Sequence, residues 1–191
     1  LNFRFMKKNL LVAYHPETID RKKTIRDFSE ILKSLNKFKD IQLIFTSANA
    51  DVDGDIINRM IKNFVYKNKS HACIFKSMGQ INYLSTLRLV DGIIGNSSSG
   101  ILEAPTFSKP TINIGKRQDG RLKAKSVINT APKSKNIIKS IKKIYSIQFK
   151  NNLLNVKNPY GCMGASIKTF KVLKKIEYRK FNDKTFFDIY K

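Results

Sequence analysis

The chain has 191 residues, 41% hydrophobic and 27% charged, with 37 Lys and Arg against 14 Asp and Glu and a formal net charge of +23. That length supports one good core or two small ones. No apolar run reaches the ~20 residues of a bilayer span, and two distant cysteines, Cys73 and Cys162, make neither a disulfide framework nor a zinc spacing.

Leu10–His15, "LLVAYH", reads as a buried strand ending in a His-Pro loop. Between Asp20 and Phe38, apolar residues at 25, 28, 31, 32 and 35 keep helical spacing. Ile41–Thr46 is the next strand, "SANADVDGD" a loop, and Ile56, Ile57, Met60, Ile61, Phe64 and Val65 mark a second helix. His71–Phe75 is a third strand, followed by a helix through Tyr83, Leu84, Leu87 and Val90. "GIIG" is a fourth strand, Ser99 to about Thr106 a short helix, "PTINIG" a fifth strand and Ser126–Thr130 a sixth. Ile137–Tyr145 and Ile167–Ile176 read as helices, and the tail 177–191 as amphipathic. Strands apolar on both faces, alternating with helices at short loop lengths, predict an α/β fold: one doubly wound, Rossmann-like parallel sheet.

The charge asks for an anionic partner. Lys exceeds Arg more than threefold and is scattered among abundant Asn and Ile. That is the pattern of an AT-rich genome, and it lacks the Arg-rich or aromatic-interleaved patches of a nucleic-acid surface. A phosphate-bearing small ligand is the other source of the demand. The N-terminus "LNFRFMKKNL" has no apolar h-region or cleavage site, so no signal peptide is expected. The missing initial Met suggests processing or a piece of something longer, and the low cysteine count suits the cytoplasm. Cys73 reads as a buried free thiol.

In such a sheet, ligands bind beyond the carboxyl ends of the strands. "GNSSSG", Gly95–Gly100, follows the fourth strand and opens a helix. Small residues admit a phosphate to the open amides there, and hydroxyls add donors. Glu103, about one turn on, is too deep to cap the helix but suits a vicinal diol such as a ribose. A Ser-rich cap with a solvated Glu accounts for the same residues. His15 ends the first strand, and Arg117 and Arg121 sit in a glycine-flanked loop suited to a diphosphate. A structural His and a solvated loop are the plainer readings. No G-x-G-x-x-G or P-loop is present. "DVDGD" fails as a calcium loop, with Gly at position 4 and Lys62 where a bidentate Glu belongs.

"VAYHPET", "SANADVDGDIIN", "KSMGQINYL", "IGNSSSGILEAPTF", "KPTINIGKRQDGR" and "NPYGCMGAS" together resemble the UDP-N-acetylglucosamine 2-epimerases. The likeness is to the hydrolysing branch of sialic-acid-type sugar synthesis, and specifically to the C-terminal half of its two-domain, glycosyltransferase-B-type fold. The resemblance implies that Ser97 and Ser98 hold the diphosphate of a UDP-sugar, that Glu103 holds the ribose hydroxyls, and that Arg117 and His15 flank the diphosphate, with His15 as the catalytic candidate. It places Asn49 near UDP and the Met78 backbone beside the uracil. "NPYGCM", "NADVDGD" and "SKP" depart from the family pattern without touching these positions.

The implied reaction expels UDP from C1 as the C2 proton leaves, giving a 2-acetamidoglucal. Water then adds to the opposite face and releases N-acetylmannosamine. The family's acid and base lie in the N-terminal half, so this chain alone is expected to be inactive. No cofactor, metal, membrane or nucleic acid is implied, and the full-length enzyme is expected to be a homo-oligomer. The donor half of a related glycosyltransferase and a Lys-rich polyanion-binding module are the competing readings. A GDP-linked sugar is also open.

Overall fold

Leu, Ile and Val dominate the short strand runs, and their branched side chains favour extended backbone with burial on both faces. The computed structural model describes residues 3–17, 21–49, 53–161 and 164–176. Its strands are β1 (Lys8–Ala13), β2 (Ile41–Thr46), β3 (Ala72–Phe75), β4 (Gly92–Gly95), β5 (Thr111–Ile114) and β6 (Val127–Thr130). All neighbouring pairs are parallel, in the order β3-β2-β1-β4-β5-β6. The expected doubly wound sheet is therefore present, and its order reverses between β1 and β4. At that point the loops leaving two adjacent strands turn to opposite sides and leave a crevice.

The helices are α1 (Arg21–Leu35), α2 (Gly54–Lys67), α3 (Gly79–Leu89), α4 (Ser99–Leu102), α5 (Ser134–Ile144), α6 (Ile147–Leu153) and α7 (Ala165–Leu173). Side chains along a strand alternate between faces, and the two cores follow that alternation. Leu10, Val12, Tyr14, Leu43 and Phe45 pack with Phe28, Ile31 and Leu35 of α1, Ile57 and Ile61 of α2, and Ile137, Ile141 and Ile144 of α5. Leu11, Ala13, Ile44 and Ile93 pack with Met78, Leu87, Val90 and Ala104 on the other side. Each fully buried Leu or Ile contributes roughly 1.5–3 kcal/mol of apolar transfer. The sheet is thus the rigid platform on which the loops at its carboxyl edge stand.

Contacts divide the chain into two units, Leu1–Tyr160 and Gly161–Lys191. The sheet lies in the first and α7 in the second. Three helices differ from the sequence reading, and Cys73, expected to be a buried free thiol, is free but only half-buried. The helix expected from Ser99 to Thr106 is α4 followed by a separate 3₁₀ turn, Ala104–Phe107. Pro105 has no N–H and disfavours helical backbone before it, so the α-helix ends at Glu103. The helix α6 has no counterpart among the expected elements, although Ser146 caps it by accepting the Phe149 amide at 3.3 Å. The helix expected over Ile167–Ile176 is found as α7, shifted toward its N-terminus. The amphipathic tail 177–191, Cys162 and the residues 51–52 of "DVDGD" lie outside the described residues. Among the described residues, no helix is long and apolar enough to cross a membrane.

Candidate functional site

At the switch point β1 and β4 approach each other closely. Gly95 has φ +140°, and a Cβ there would stand 1.9 Å from the Ala13 carbonyl oxygen. Only glycine lets β4 end against β1 in this way. Immediately beyond, Asn96 is fully buried. Its Oδ1 accepts the His15 amide at 2.7 Å, and its Nδ2 donates to the His15 carbonyl at 2.8 Å. The Asn96 carbonyl in turn accepts Gln118 Nε2 at 2.7 Å and Arg117 Nη1 at 3.0 Å. One buried asparagine therefore ties together the loops after β1, β4 and β5.

A cleft of about 420 Å³ opens at this edge, lined by His15, Ser47, Asn49, Ser77, Met78, Gln80, Tyr83, Ser97, Ser99 and Glu103, among others. Its size falls within the ~300–1,000 Å³ of small-molecule sites. Five of the seven residues expected from sequence line it: His15, Asn49, Met78, Ser97 and Glu103. Ser98 and Arg117 do not. Ser98 is the residue before α4, and its carbonyl accepts the amides of Ile101 and Leu102. Arg117 is exposed and reaches the Asn96 carbonyl from the β5 loop.

The loop before α4 is held from within. The Ser99 amide donates to Ser97 Oγ at 3.4 Å, and the Gly100 amide to the Ser97 carbonyl at 3.2 Å. Among the described residues, no protein acceptor takes the amides of Ser97 and Ser98. With α4 only one turn long, its macrodipole is small. The open donors are local amides and hydroxyls, and the helix as a whole contributes little.

The Asn49 amide donates to His15 Nδ1 at 3.3 Å, which leaves the proton of the neutral ring on Nε2. The Asn49 loop is fixed by Asn58, whose Oδ1 accepts the Ala48 amide at 2.8 Å. It is also crowded against Gly54, where a Cβ would lie 2.0 Å from the Asn49 carbonyl oxygen. Met78 is buried in the second core and precedes α3.

Glu103 stands where α4 passes into the 3₁₀ turn. Its Oε2 is buried and, among the described residues, has no hydrogen-bond partner. A buried carboxylate oxygen without a donor is costly. Nearby, Tyr83 Oη donates to Ser99 Oγ at 2.7 Å. The pKa of the Tyr83 hydroxyl is pushed up to about 12, chiefly by burial, with the Ser99 hydrogen bond pulling it down and the Glu103 charge pushing it up. It therefore remains protonated, as a donor, at any working pH. Among the described residues, no group of His, Cys, Asp and Glu is arranged to hold a metal ion.

Sequence reading misses Asn96, Gln118, Asn58, Tyr83 and Ser99 as site residues. Tyr83 fits the apolar spacing of its helix, which hides the hydroxyl. Ser99 is masked by its two neighbours in the same serine run.

The family model described as UDP-N-acetylglucosamine 2-epimerase matches residues 2–174. The chain is 40% identical over 152 residues to the GDP/UDP-N,N'-diacetylbacillosamine 2-epimerase (hydrolyzing) of Campylobacter jejuni, covering 80% of this chain and 39% of that protein. It is 34% identical over 186 residues to the polysialic acid biosynthesis protein P7 of Escherichia coli, covering 96% of this chain and 47% of that protein. The chain thus spans less than half the length of these relatives. In fold it is similar to the Neisseria meningitidis UDP-GlcNAc 2-epimerase bound to UDP-GlcNAc, with TM-score 0.64 and 18% identity over 91% of this chain and 46% of that one.

Proposed function

The chain belongs to the UDP-N-acetylglucosamine 2-epimerase family, and from that premise we propose that it is the nucleotide-binding half of a hydrolysing 2-epimerase for sialic-acid-type sugars. The observation that carries the reading is the Glu103 Oε2, buried and, among the described residues, without a donor in a cleft at the switch point. A ligand bearing hydroxyls supplies the donor that the protein withholds. The names of the Campylobacter and Escherichia relatives support the hydrolysing and sialic-acid-type parts of the reading. The UDP-GlcNAc bound to the Neisseria enzyme supports a UDP-sugar as the ligand.

In this reading Glu103 accepts from the ribose hydroxyls. Ser97 and Ser98 offer amides and hydroxyls to the diphosphate, joined by His15 Nε2–H and by guanidinium donors of Arg117. Asn49 and the Met78 backbone lie toward the base. As the C1–O bond breaks, negative charge grows on the departing UDP. Donors already in place stabilise that charge without reorganising, which lowers the barrier. The C2 proton is removed as UDP departs, and water adds to the 2-acetamidoglucal to give N-acetylmannosamine. The base and acid of those steps are assigned to the half of the family fold that this chain does not span, so the chain alone is proposed to be inactive. The complete enzyme is proposed to be a cytoplasmic homo-oligomer.

Titration calorimetry of the 191-residue chain with UDP and GDP tests the reading. Saturable UDP binding that Glu103→Ala weakens supports it, and wild-type chain that takes up no UDP overturns it. Release of N-acetylmannosamine by the isolated chain would overturn the assignment of the proton-transfer groups.

A further inference from the structure

The hydroxyl of Ser99 is committed on one side only. It accepts from Tyr83 Oη at 2.7 Å, and among the described residues no acceptor takes its proton. Tyr83 has a single proton, and that proton points at Ser99, so the pair has a fixed sense: Tyr83 donates, and Ser99 must donate onward. Both residues line the cleft with Glu103. Glu103 Oε2 faces the complementary problem, as a buried acceptor without a donor among the described residues. Two residues that line the cleft thus carry complementary unmatched groups, a hydroxyl donor on Ser99 and a buried carboxylate acceptor on Glu103.

That combination selects a chemical group. A phosphate oxygen accepts but does not donate, and an ammonium donates but does not accept. An alcohol does both. We propose that Ser99, held in its donating orientation by Tyr83, is a specificity-determining residue that with Glu103 reads one hydroxyl of the bound nucleoside. The ligand hydroxyl donates to Glu103 Oε2 and accepts from Ser99 Oγ–H. The inference rests on the nucleotide-binding reading above and adds to it. The third serine of "NSSS" addresses the sugar, while its two predecessors address the phosphates. Tyr83 touches no ligand in this scheme and acts as a positioning residue. Its half-buried ring keeps to the apolar spacing of α3 while its hydroxyl reaches the cleft.

The test uses the 191-residue chain and three probes: UDP, 2′-deoxy-UDP and 3′-deoxy-UDP. Wild type should prefer UDP over one of the deoxy analogues by about tenfold or more, the loss expected when a hydrogen-bonded hydroxyl is removed from a buried charged partner. Ser99→Ala should weaken UDP by about fivefold to tenfold while leaving that same analogue unchanged, so the discrimination collapses. Tyr83→Phe should reduce discrimination in the same direction, and adding it to Ser99→Ala should cost nothing further. A merely structural role would weaken UDP and both analogues alike, and that result would overturn the inference. Wild-type discrimination retained in full by both variants would also overturn it, with the UDP-binding reading intact. Failure of the wild type to bind UDP would sink both together.

Discussion

His15 and Asn96 grip each other through both polar groups of one amide: the Asn96 side chain accepts the His15 N–H at 2.7 Å and donates to the His15 carbonyl at 2.8 Å. The two residues are 81 positions apart and sit at the ends of adjacent strands, β1 and β4. This exchange continues the strand pairing past its last backbone bond, with a side chain standing in for a strand. It fixes the His15 backbone at the cleft wall, while the ring is steered separately by the Asn49 amide.

The first prediction follows from that exchange. Asn96→Ala takes from the His15 N–H and C=O the partners that the amide supplies, and it removes a fully buried side chain. Each orphaned group costs ~1–3 kcal/mol. Urea unfolding should show a loss of about 2–4 kcal/mol at unchanged m-value. A loss under about 1 kcal/mol would mean that water replaces the amide without cost and that the clasp is incidental.

The second concerns Glu103. Without ligand its Oε2 is a liability, so Glu103→Gln should melt at the same temperature as wild type or slightly higher. Glu103→Ala should bind UDP more weakly by roughly 1.5–3 kcal/mol, the worth of hydrogen bonds to a charged group. Stability kept while affinity falls is the pattern of a functional residue that breaks a local rule. Unchanged affinity in calorimetry would remove Glu103 from the site.

Much of this architecture is legible in the sequence. The apolar runs at 10–15, 41–46, 71–75 and 92–95 announce a parallel sheet because they lack a polar face. "GNSSSG" announces a site because small hydroxyl residues at a strand end have little packing value. The polar clasp is not legible. Asn96, Gln118 and Asn58 act on backbone atoms that only the topology brings to them. Tyr83 escapes notice because its ring obeys the helical apolar pattern while its hydroxyl bonds Ser99, the first residue of α4 beyond the next strand. The break at Glu103 is readable from Pro105, yet the small residues around it keep a helical reading alive as far as Thr106.

The third prediction uses a histidine far from the cleft. His71 is buried at the start of β3, with Nε2 unpartnered among the described residues and Nδ1 3.2 Å from Ser70 Oγ. Burial, and then the positive charge of Lys39, hold its pKa below the ordinary value. Above pH ~6.5 the imidazole is neutral in both folded and unfolded chains and the shift has no effect. As pH falls through ~6.5 the unfolded chain binds the proton first, so folding loses stability from there downward until the folded pKa is passed. The melting temperature should therefore drop between about pH 7 and pH 5, and drop less in His71→Gln. Parallel pH profiles for the two proteins would refute the assignment.

The fourth prediction separates the charge of the chain from the charge of its site. The net charge is +23, yet among the described residues no Lys or Arg lines the cleft. Arg117 reaches the loop after β4 through its hydrogen bond to the Asn96 carbonyl. Much of the remaining charge stands on elements away from the cleft, such as α5. That helix packs its Ile137, Ile141 and Ile144 into the first core and keeps Lys135, Lys139, Lys142 and Lys143 on other faces. It follows β6, which lies two strands from β4 and so ~10 Å away in the sheet before the helix layer is added. Exposed charges at that range are screened beyond about 8 Å at physiological ionic strength. Changing these four Lys to Gln should alter UDP affinity by less than about twofold. Arg117→Ala should cost about tenfold or more, because a guanidinium has five N–H donors and the Asn96 carbonyl engages only one of its nitrogens, leaving others for a phosphate at short range. The opposite ranking, with affinity lost in the Lys variant and kept in Arg117→Ala, would mean that the chain attracts polyanions through its whole surface and that the cleft is not where the anion sits.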